Sequence, residues 1–534
     1  VDEIVPFYEK SRARFKLAEP ILSFLDKDNY LSLNQPNILK VIEEDATDIK
    51  IVQPFGFQVL EELLQEEDFS PLNFQKQVEL VSSRLKLVRS TIKPNSKPYH
   101  VLWLIKNQIV RVATLGITGF DSPSGNSLSE SKLTYQTIGE LFRMYQDNFD
   151  DTTLLTLWYN ELKATQLALQ TDFDSFDRYS FIKNHTHQQL ELLQQTSKDW
   201  EVEYPFELAI RNNAINLFTD TTFNLNFFND YHKINAFSEE RAALGEELFN
   251  DVNLSKSKQM SCGTCHQKQL AFTDGLTTFT NQKRNSPTLK YAALQKAFFY
   301  DNRAGSLEGQ IVSVVNNKHE FESDLEAFVI TILEDSAYTE KFNKSYGEVN
   351  DQNIRNAMAN YIRRLSPFTS KFDQNMTGQK KDLTAEEKQG FNLFMGKAQC
   401  GTCHFAPTFN GTVPPYFTES EMELLGVPDD AEGTVVDDDL GRYEIFQTEE
   451  KKYFFKTPTV RNVALTSPYM HNGVYQTLEE VMTFYNHGGG VGMGFDLPYQ
   501  TLPSDSLGLS EVEIKSLIAF IETLTDEKEV QLQH

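Results

Sequence analysis

Apolar residues recur at helical intervals through the first two-fifths of the chain. Phe74, Val78, Val81, Leu85 and Val88 fall at i, i+4, i+7, i+11 and i+14, the stripe that one face of an α-helix presents. Ile138, Leu141, Phe142, Tyr145 and Phe149 repeat the pattern. Between them Asp121-Ser122-Pro123-Ser124-Gly125-Asn126-Ser127 collects turn-forming residue types and separates two helical blocks. A mainly α chain is expected.

Two further helices carry start signals, and each leads to the same five residues. Ser238-Glu239-Glu240 opens a helix through Ala243-Leu244-Gly245-Glu246-Glu247-Leu248-Phe249, and a loop then reaches Cys262-Gly263-Thr264-Cys265-His266. Thr384-Ala385-Glu386-Glu387 is a capping box before Gln389-Gly390-Phe391-Asn392-Leu393-Phe394, which leads to Cys400-Gly401-Thr402-Cys403-His404. The chain closes with a capped helix, Ser510-Glu511-Val512-Glu513, whose apolar stripe is Ile514, Leu517, Ile518, Ile521 and Leu524.

C-x-x-C-H marks covalent attachment of a c-type haem: the thiols add to the two vinyl groups and the histidine binds the iron. Zinc binding or dithiol redox work also uses C-x-x-C pairs. Zinc ribbons, however, hold their pairs closer in sequence, and neither use calls for a histidine after each pair. Cys262, Cys265, Cys400 and Cys403 are all the cysteines present, so no thiol is left over as a nucleophile. Two c-type haems are expected, with His266 and His404 as axial ligands. Helix, loop and haem turn are how a small cytochrome c begins, and a terminal helix in that fold packs on the first. The expected organisation is a helical domain at 1–232 and two cytochrome c-like domains at 233–375 and 376–534. His185 and His187 lie two apart, on different faces of a helix, and are expected on its surface. Residues 1–232 carry no metal motif; their position suggests a docking or cap module.

Composition narrows the setting. At 534 residues the chain is too long for one core. Its most apolar run, Val101-Leu102-Trp103-Leu104-Ile105, stops at Lys106, so no membrane span is expected. A net charge of -26 argues against nucleic acid as a partner and suits either a basic redox protein or simple solubility. The chain opens at Val1 rather than methionine, as after removal of a leader. Covalent haem is attached after export, which points to an extracytoplasmic, periplasm-like location.

The segments around the two motifs, about 236–530, resemble the bacterial di-haem cytochrome c peroxidase family, which includes MauG. The resemblance rests on Phe272-Thr273-Asp274-Gly275, Arg284-Asn285-Ser286-Pro287-Thr288, Asp301-Asn302-Arg303-Ala304-Gly305-Ser306-Leu307-Glu308, the run from Pro458 to Gly473, and Thr477-Leu478-Glu479-Glu480. It implies that the first haem reacts with hydrogen peroxide and that the second is six-coordinate and exchanges electrons with a small cytochrome c or copper protein. The family's distal glutamate falls on Glu320 and its distal glutamine on Gln310. From the residues alone, the favoured reading of Glu320 is a solvated acid in the polar run Asn316-Asn317-Lys318-His319-Glu320. The family's calcium, held by an asparagine and main-chain carbonyls, matches Asn285, Thr466 and Pro468.

Three departures from the family pattern matter. The loop Leu276–Lys283 lacks the histidine that blocks the first iron in many members, implying an open iron that needs no reductive activation. Tyr485 stands where a methionine serves as sixth ligand of the second haem, as in MauG; Met482 and His487 compete for that role. A phenolate stabilises ferric and higher-valent iron, which favours a high-valent state shared by both haems. Finally, the tryptophan between the haems is replaced by Tyr300, whose oxidation also requires loss of the phenolic proton. The leading expectation is a di-haem peroxidase. The alternatives are a MauG-like oxidase acting on a protein or organic substrate, and a non-catalytic electron carrier or sensor.

Overall fold

The computed structural model describes residues 1–527 except 46, 94, 123, 232 and 233. The boundary expected at 232/233, and Pro123 of the expected loop, lie outside the described residues. The chain is mainly α, as expected, with two small two-stranded sheets among the described residues. It forms two compact units. One comprises Val1–Leu217, Phe391–Pro407 and Pro414–Tyr416; the other comprises Phe218–Gly390, Thr408–Val413 and the chain from Phe417 onward. No helix among the described residues is long and apolar enough to cross a membrane.

In the first unit, the helix Pro71–Thr91 starts at Ser70, whose hydroxyl accepts from the Asn73 N–H at 3.4 Å. Of the predicted stripe, Phe74, Val81 and Val88 are buried, whereas Val78 is exposed. The seven-residue spacing marks the true contact seam. Ile138, Leu141 and Phe142 are buried in the helix Ser127–Met144, but Tyr145 and Phe149 lie beyond its end. Inside this unit Lys16, Glu19, Arg111, Asp121, Arg12 and Glu130 form a buried ion network, with Lys16 Nζ 2.7 Å from Glu19 and Arg12 Nε 2.5 Å from Glu130.

The two histidines of this unit differ from expectation. His185 is half-buried, with Nδ1 2.9 Å from Glu161. His187 is buried rather than on the surface, its ring nitrogens 3.1 Å from Asn216 Nδ2 and 3.4 Å from the Leu217 N–H. The cause is local: a π-helical turn at Ile182–Thr186 precedes it, and the wider turn rotates the following residues out of α-helical phase.

The second unit is built on a repeated helix crossing. The helix Glu239–Asn250 packs on Asp351–Arg363 so closely that a Cβ at Gly245 would overlap the Ala357 carbonyl. At Gly390, in the helix Ala385–Met395, a Cβ would overlap the Ser516 carbonyl of the terminal helix Glu511–Glu522. The duplication visible in the sequence is thus also a duplicated backbone-to-backbone contact. Around the first crossing, Leu244, Leu248, Ile311, Phe328, Ile354 and Met358 share one core.

Gly245→Ala and Gly390→Ala are expected to destabilise by about 2–3 kcal/mol through overpacking, read as a lower denaturant midpoint. Unchanged midpoints would mean that the crossings have room for a side chain.

Candidate active site

The first C-x-x-C-H forms one turn of helix, Cys262–Cys265, with a capping box between Ser261 and Thr264. The His266 N–H closes the turn on the Cys262 carbonyl at 3.0 Å. Its Nδ1 lies 3.0 Å from the Phe272 carbonyl oxygen, a contact that only the Nδ1–H tautomer makes as a hydrogen bond. That tautomer leaves the Nε2 lone pair free to bind a metal. The carbonyl is aimed by the backbone: Ala271 and Phe272 are both left-handed, at φ 51° and 63°, and Thr288 Oγ1 donates to the Ala271 carbonyl at 2.6 Å. Asp274 then anchors the next loop, accepting from Ser286 Oγ at 2.8 Å and the Leu276 N–H at 2.9 Å.

Cys262, Cys265 and His266 open into a cavity of about 80 Å³. Its walls are mostly apolar: Phe249, Leu289, Ile311, Val314, Phe321, Met358 and Ile362. Burial pushes both thiols up to about 12 and lowers the basicity of His266. Paired thiols, a histidine oriented through Nδ1 and a mostly apolar lining fit a c-type haem. A zinc site fits less well, since no group of three or more His, Cys, Asp or Glu converges as a metal site among the described residues.

The same cavity receives Gln310 and Glu320. Gln310 projects from the helix Leu307–Val315, which starts at Ser306 and is fixed by a fully buried ion pair, Glu308 to Arg363 at 2.8 Å. Glu320 follows in a turn where the Asn317 carbonyl accepts from the Glu320 N–H at 3.1 Å and the Glu322 N–H at 2.9 Å. One carboxylate oxygen, Oε1, accepts from Asn317 Nδ2 at 2.8 Å and from Gln282 Nε2 at 3.3 Å. Burial raises the Glu320 carboxyl above its ordinary value; the Asn317 bond and the Arg303 charge oppose this. The Cys262 and Cys265 thiols also feel its charge. His319 is exposed.

The family model for di-haem cytochrome c peroxidases matches residues 239–381. MauG of Methylorubrum extorquens, a methylamine utilization protein, is 31% identical over 305 residues, covering 55% of this chain and 81% of that protein. Cytochrome c551 peroxidase of Nitrosomonas europaea is 31% identical over 300 residues, covering 54% and 81%. The chain belongs to the di-haem cytochrome c peroxidase family. It is therefore an oxidoreductase of a c-type haem family. Among solved structures, a MauG-like protein associated with microbial copper homeostasis aligns with a TM-score of 0.47 and 28% identity, covering 55% of this chain and 91% of that one.

The other residues expected at the site are distributed as follows. The second motif repeats the first: the His404 N–H meets the Cys400 carbonyl at 2.9 Å, and burial pushes the Cys400 thiol up to about 12. Cys400, Cys403 and His404 belong to the first unit, and Tyr485 to the second. Tyr485 is half-buried near the end of the helix Leu478–Asn486, Met482 is buried, and His487 is exposed with Nδ1 2.7 Å from the Thr483 carbonyl. Asn285 is tied to the 466–473 loop by its N–H on the His471 carbonyl at 2.7 Å, while its Nδ2 donates to the Leu276 carbonyl at 2.7 Å. Thr466 is half-buried and Pro468 buried in that loop. Tyr300 has its phenol pushed up by burial, and its carbonyl accepts from the Lys456 N–H at 2.6 Å.

Two residues that bond Glu320 went unnoticed in the sequence. Asn317 was visible three positions before Glu320 in a turn-like run, whereas nothing local marks Gln282. Both donate to the ionised carboxyl, so removing either leaves burial less opposed and the titration of Glu320 moves to higher pH. The check is an infrared pH titration of the carboxylic-acid band that disappears in Glu320→Gln. Asn317→Leu should raise its midpoint more than Gln282→Leu, and two unmoved midpoints would contradict the hydrogen-bonding scheme.

Proposed function

We propose that the protein is a di-haem peroxidase that reduces hydrogen peroxide at the first motif with electrons entering through the second from a small cytochrome c or copper protein. The observation that carries this reading is the meeting of Glu320 with Cys262, Cys265 and His266 in one apolar cavity. When bound, a haem there supplies an iron that binds peroxide and delivers electrons to it. The chain's own residues handle the proton. Peroxide cleavage needs a proton moved from the inner to the outer oxygen so that water leaves. Glu320 suits this because its Oε1 is held by Asn317 and Gln282, which leaves Oε2 to take up and return a proton. Gln310, in the same lining, is a donor suited to orienting bound peroxide. The apolar walls exclude water, and His266, oriented by the Phe272 carbonyl, would hold the iron of a bound haem.

The loop 276–283 supports an accessible first iron, since it sends Gln282 to Glu320 and contains no histidine. Tyr485 favours a second reading, a MauG-like oxidase acting on a larger substrate, while Tyr300 in place of tryptophan weighs against it. Both readings fit an extracytoplasmic protein, since c-type haem is attached after export. Calcium held by Asn285, Thr466 and Pro468 would tie the loops around Arg284 and His471.

The fully oxidised protein is expected to react with peroxide without prior reduction. Glu320→Gln should slow that reaction by about 10²–10⁴-fold in stopped-flow absorbance. An unchanged rate would remove Glu320 from the mechanism, and steady peroxide turnover with a reduced cytochrome c or copper protein separates the peroxidase from the MauG-like reading.

A further inference from the structure

The segment that bears the second motif, Phe391–Pro407, folds as part of the N-terminal helical unit. Asn392 is gripped from both sides: its Oδ1 accepts from the Tyr179 N–H at 3.0 Å and its Nδ2 donates to Asp177 at 3.2 Å. Tyr179 meets the Phe391 ring edge-on, and Phe120 does the same to Phe405, just past His404, at 5.7 Å between centroids. Between these contacts lies Arg178, fully buried. Its guanidinium presses on Gly396, where a Cβ would sit 2.6 Å from Cζ and Nη1. Its hydrogen bonds run to three carbonyl oxygens, of Ile117 at 2.8 Å, Phe176 at 3.2 Å and Phe173 at 2.9 Å. Carbonyl dipoles satisfy the N–H groups without cancelling the charge, and the Asp174 carboxylate nearby offsets only part of it.

Gly396 is two tight turns from the motif. The Gln399 N–H closes on the Gly396 carbonyl at 2.8 Å, and the Thr402 N–H closes on Gln399 at 3.0 Å. Met395 then touches the motif itself, since a Cβ on Gly401 would lie 2.8 Å from its Sδ. Guanidinium, Gly396, Met395 and Gly401 are thus one continuous contact.

We infer that Arg178 is a positioning residue for electron transfer: a buried positive charge, supplied by the N-terminal helices, that raises the reduction potential of the haem carried on Cys400 and Cys403. This rests on the reading that the second motif carries haem. A fixed cation in a low-dielectric interior disfavours the ferric state, which bears one more positive charge than the ferrous. Burial lowers the Arg178 value only to about 10, so the charge persists at neutral pH. The effect opposes that of a phenolate ligand, and gives the N-terminal helices a role in setting the direction of electron flow.

The test is a spectroelectrochemical titration of the purified holoprotein near pH 6. In Arg178→Gln, the haem of the second motif should shift toward oxidation by about tenfold in its equilibrium, which is 59 mV for one electron, while the first haem is unmoved. Arg178→Lys, which keeps the charge but loses the fork of hydrogen bonds, should retain the wild-type midpoint. If Arg178→Gln does not fold, Gly396→Ala, which displaces the guanidinium, should lower the same midpoint. Equal midpoints in wild type and Arg178→Gln, equal shifts of both haems, or an unchanged midpoint in Gly396→Ala would each overturn the inference. Failure of the wild-type protein to react with peroxide would instead sink the peroxidase reading and leave this comparison intact.

Discussion

The close crossing of backbone at Gly245 and Ala357 is the constraint on which the first site depends. Only a residue without a side chain lets the helix Glu239–Asn250 lie directly on Asp351–Arg363. From that contact Phe249, on the first helix, and Met358 and Ile362, on the second, reach the same cavity wall. The C-x-x-C-H turn follows the first helix by a short loop, so the crossing also sets where Cys262, Cys265 and His266 open. The same device recurs at Gly390 and Ser516, so each half of the duplication begins from a helix pair locked at van der Waals distance.

A second constraint ties segments far apart in sequence. Arg461, fully buried, makes a two-pronged ion pair with Asp373 at 2.9 and 2.8 Å and lies over the rings of Tyr291, Phe368 and Phe409. Tyr291 passes the link to Asp526 at 2.7 Å, and Asn462 holds the other oxygen of that carboxylate at 2.9 Å. A buried pair of this kind adds little net stability over an apolar replacement, but breaking it strands a charge. Its effect is to permit one arrangement of the 291, 368–373, 461 and 526 segments. Arg284 does similar work nearer the site, bridging Asp301 at 2.5 Å and Asp439 at 2.6 and 2.8 Å.

Features written in short stretches of sequence were legible. The haem motifs, the caps at Ser238 and Ser510, and the duplicated helix-loop-turn depend on residues within a few positions of one another; Glu320 and Gln310, singled out through a family pattern, share the cavity lining with the first motif. What depends on distant chain was not legible. Gln282 acquires its importance from Glu320, 38 positions away, and Arg178 from Gly396, more than 200 positions away. His187 shows the same limit at short range: ideal helical phase sends it outward, and a single π-turn brings it in. Val78 fits the helical period but lies where the neighbouring elements leave the surface open.

The central claim is that the two similar motifs carry unlike irons, with the open one facing Glu320. The most direct measurement is the electron paramagnetic resonance spectrum of the oxidised holoprotein. One high-spin and one low-spin ferric signal are expected, with small anions converting only the high-spin one in a way that changes in Glu320→Gln. Two low-spin signals in the oxidised protein, neither responding to anions, would contradict an open first site.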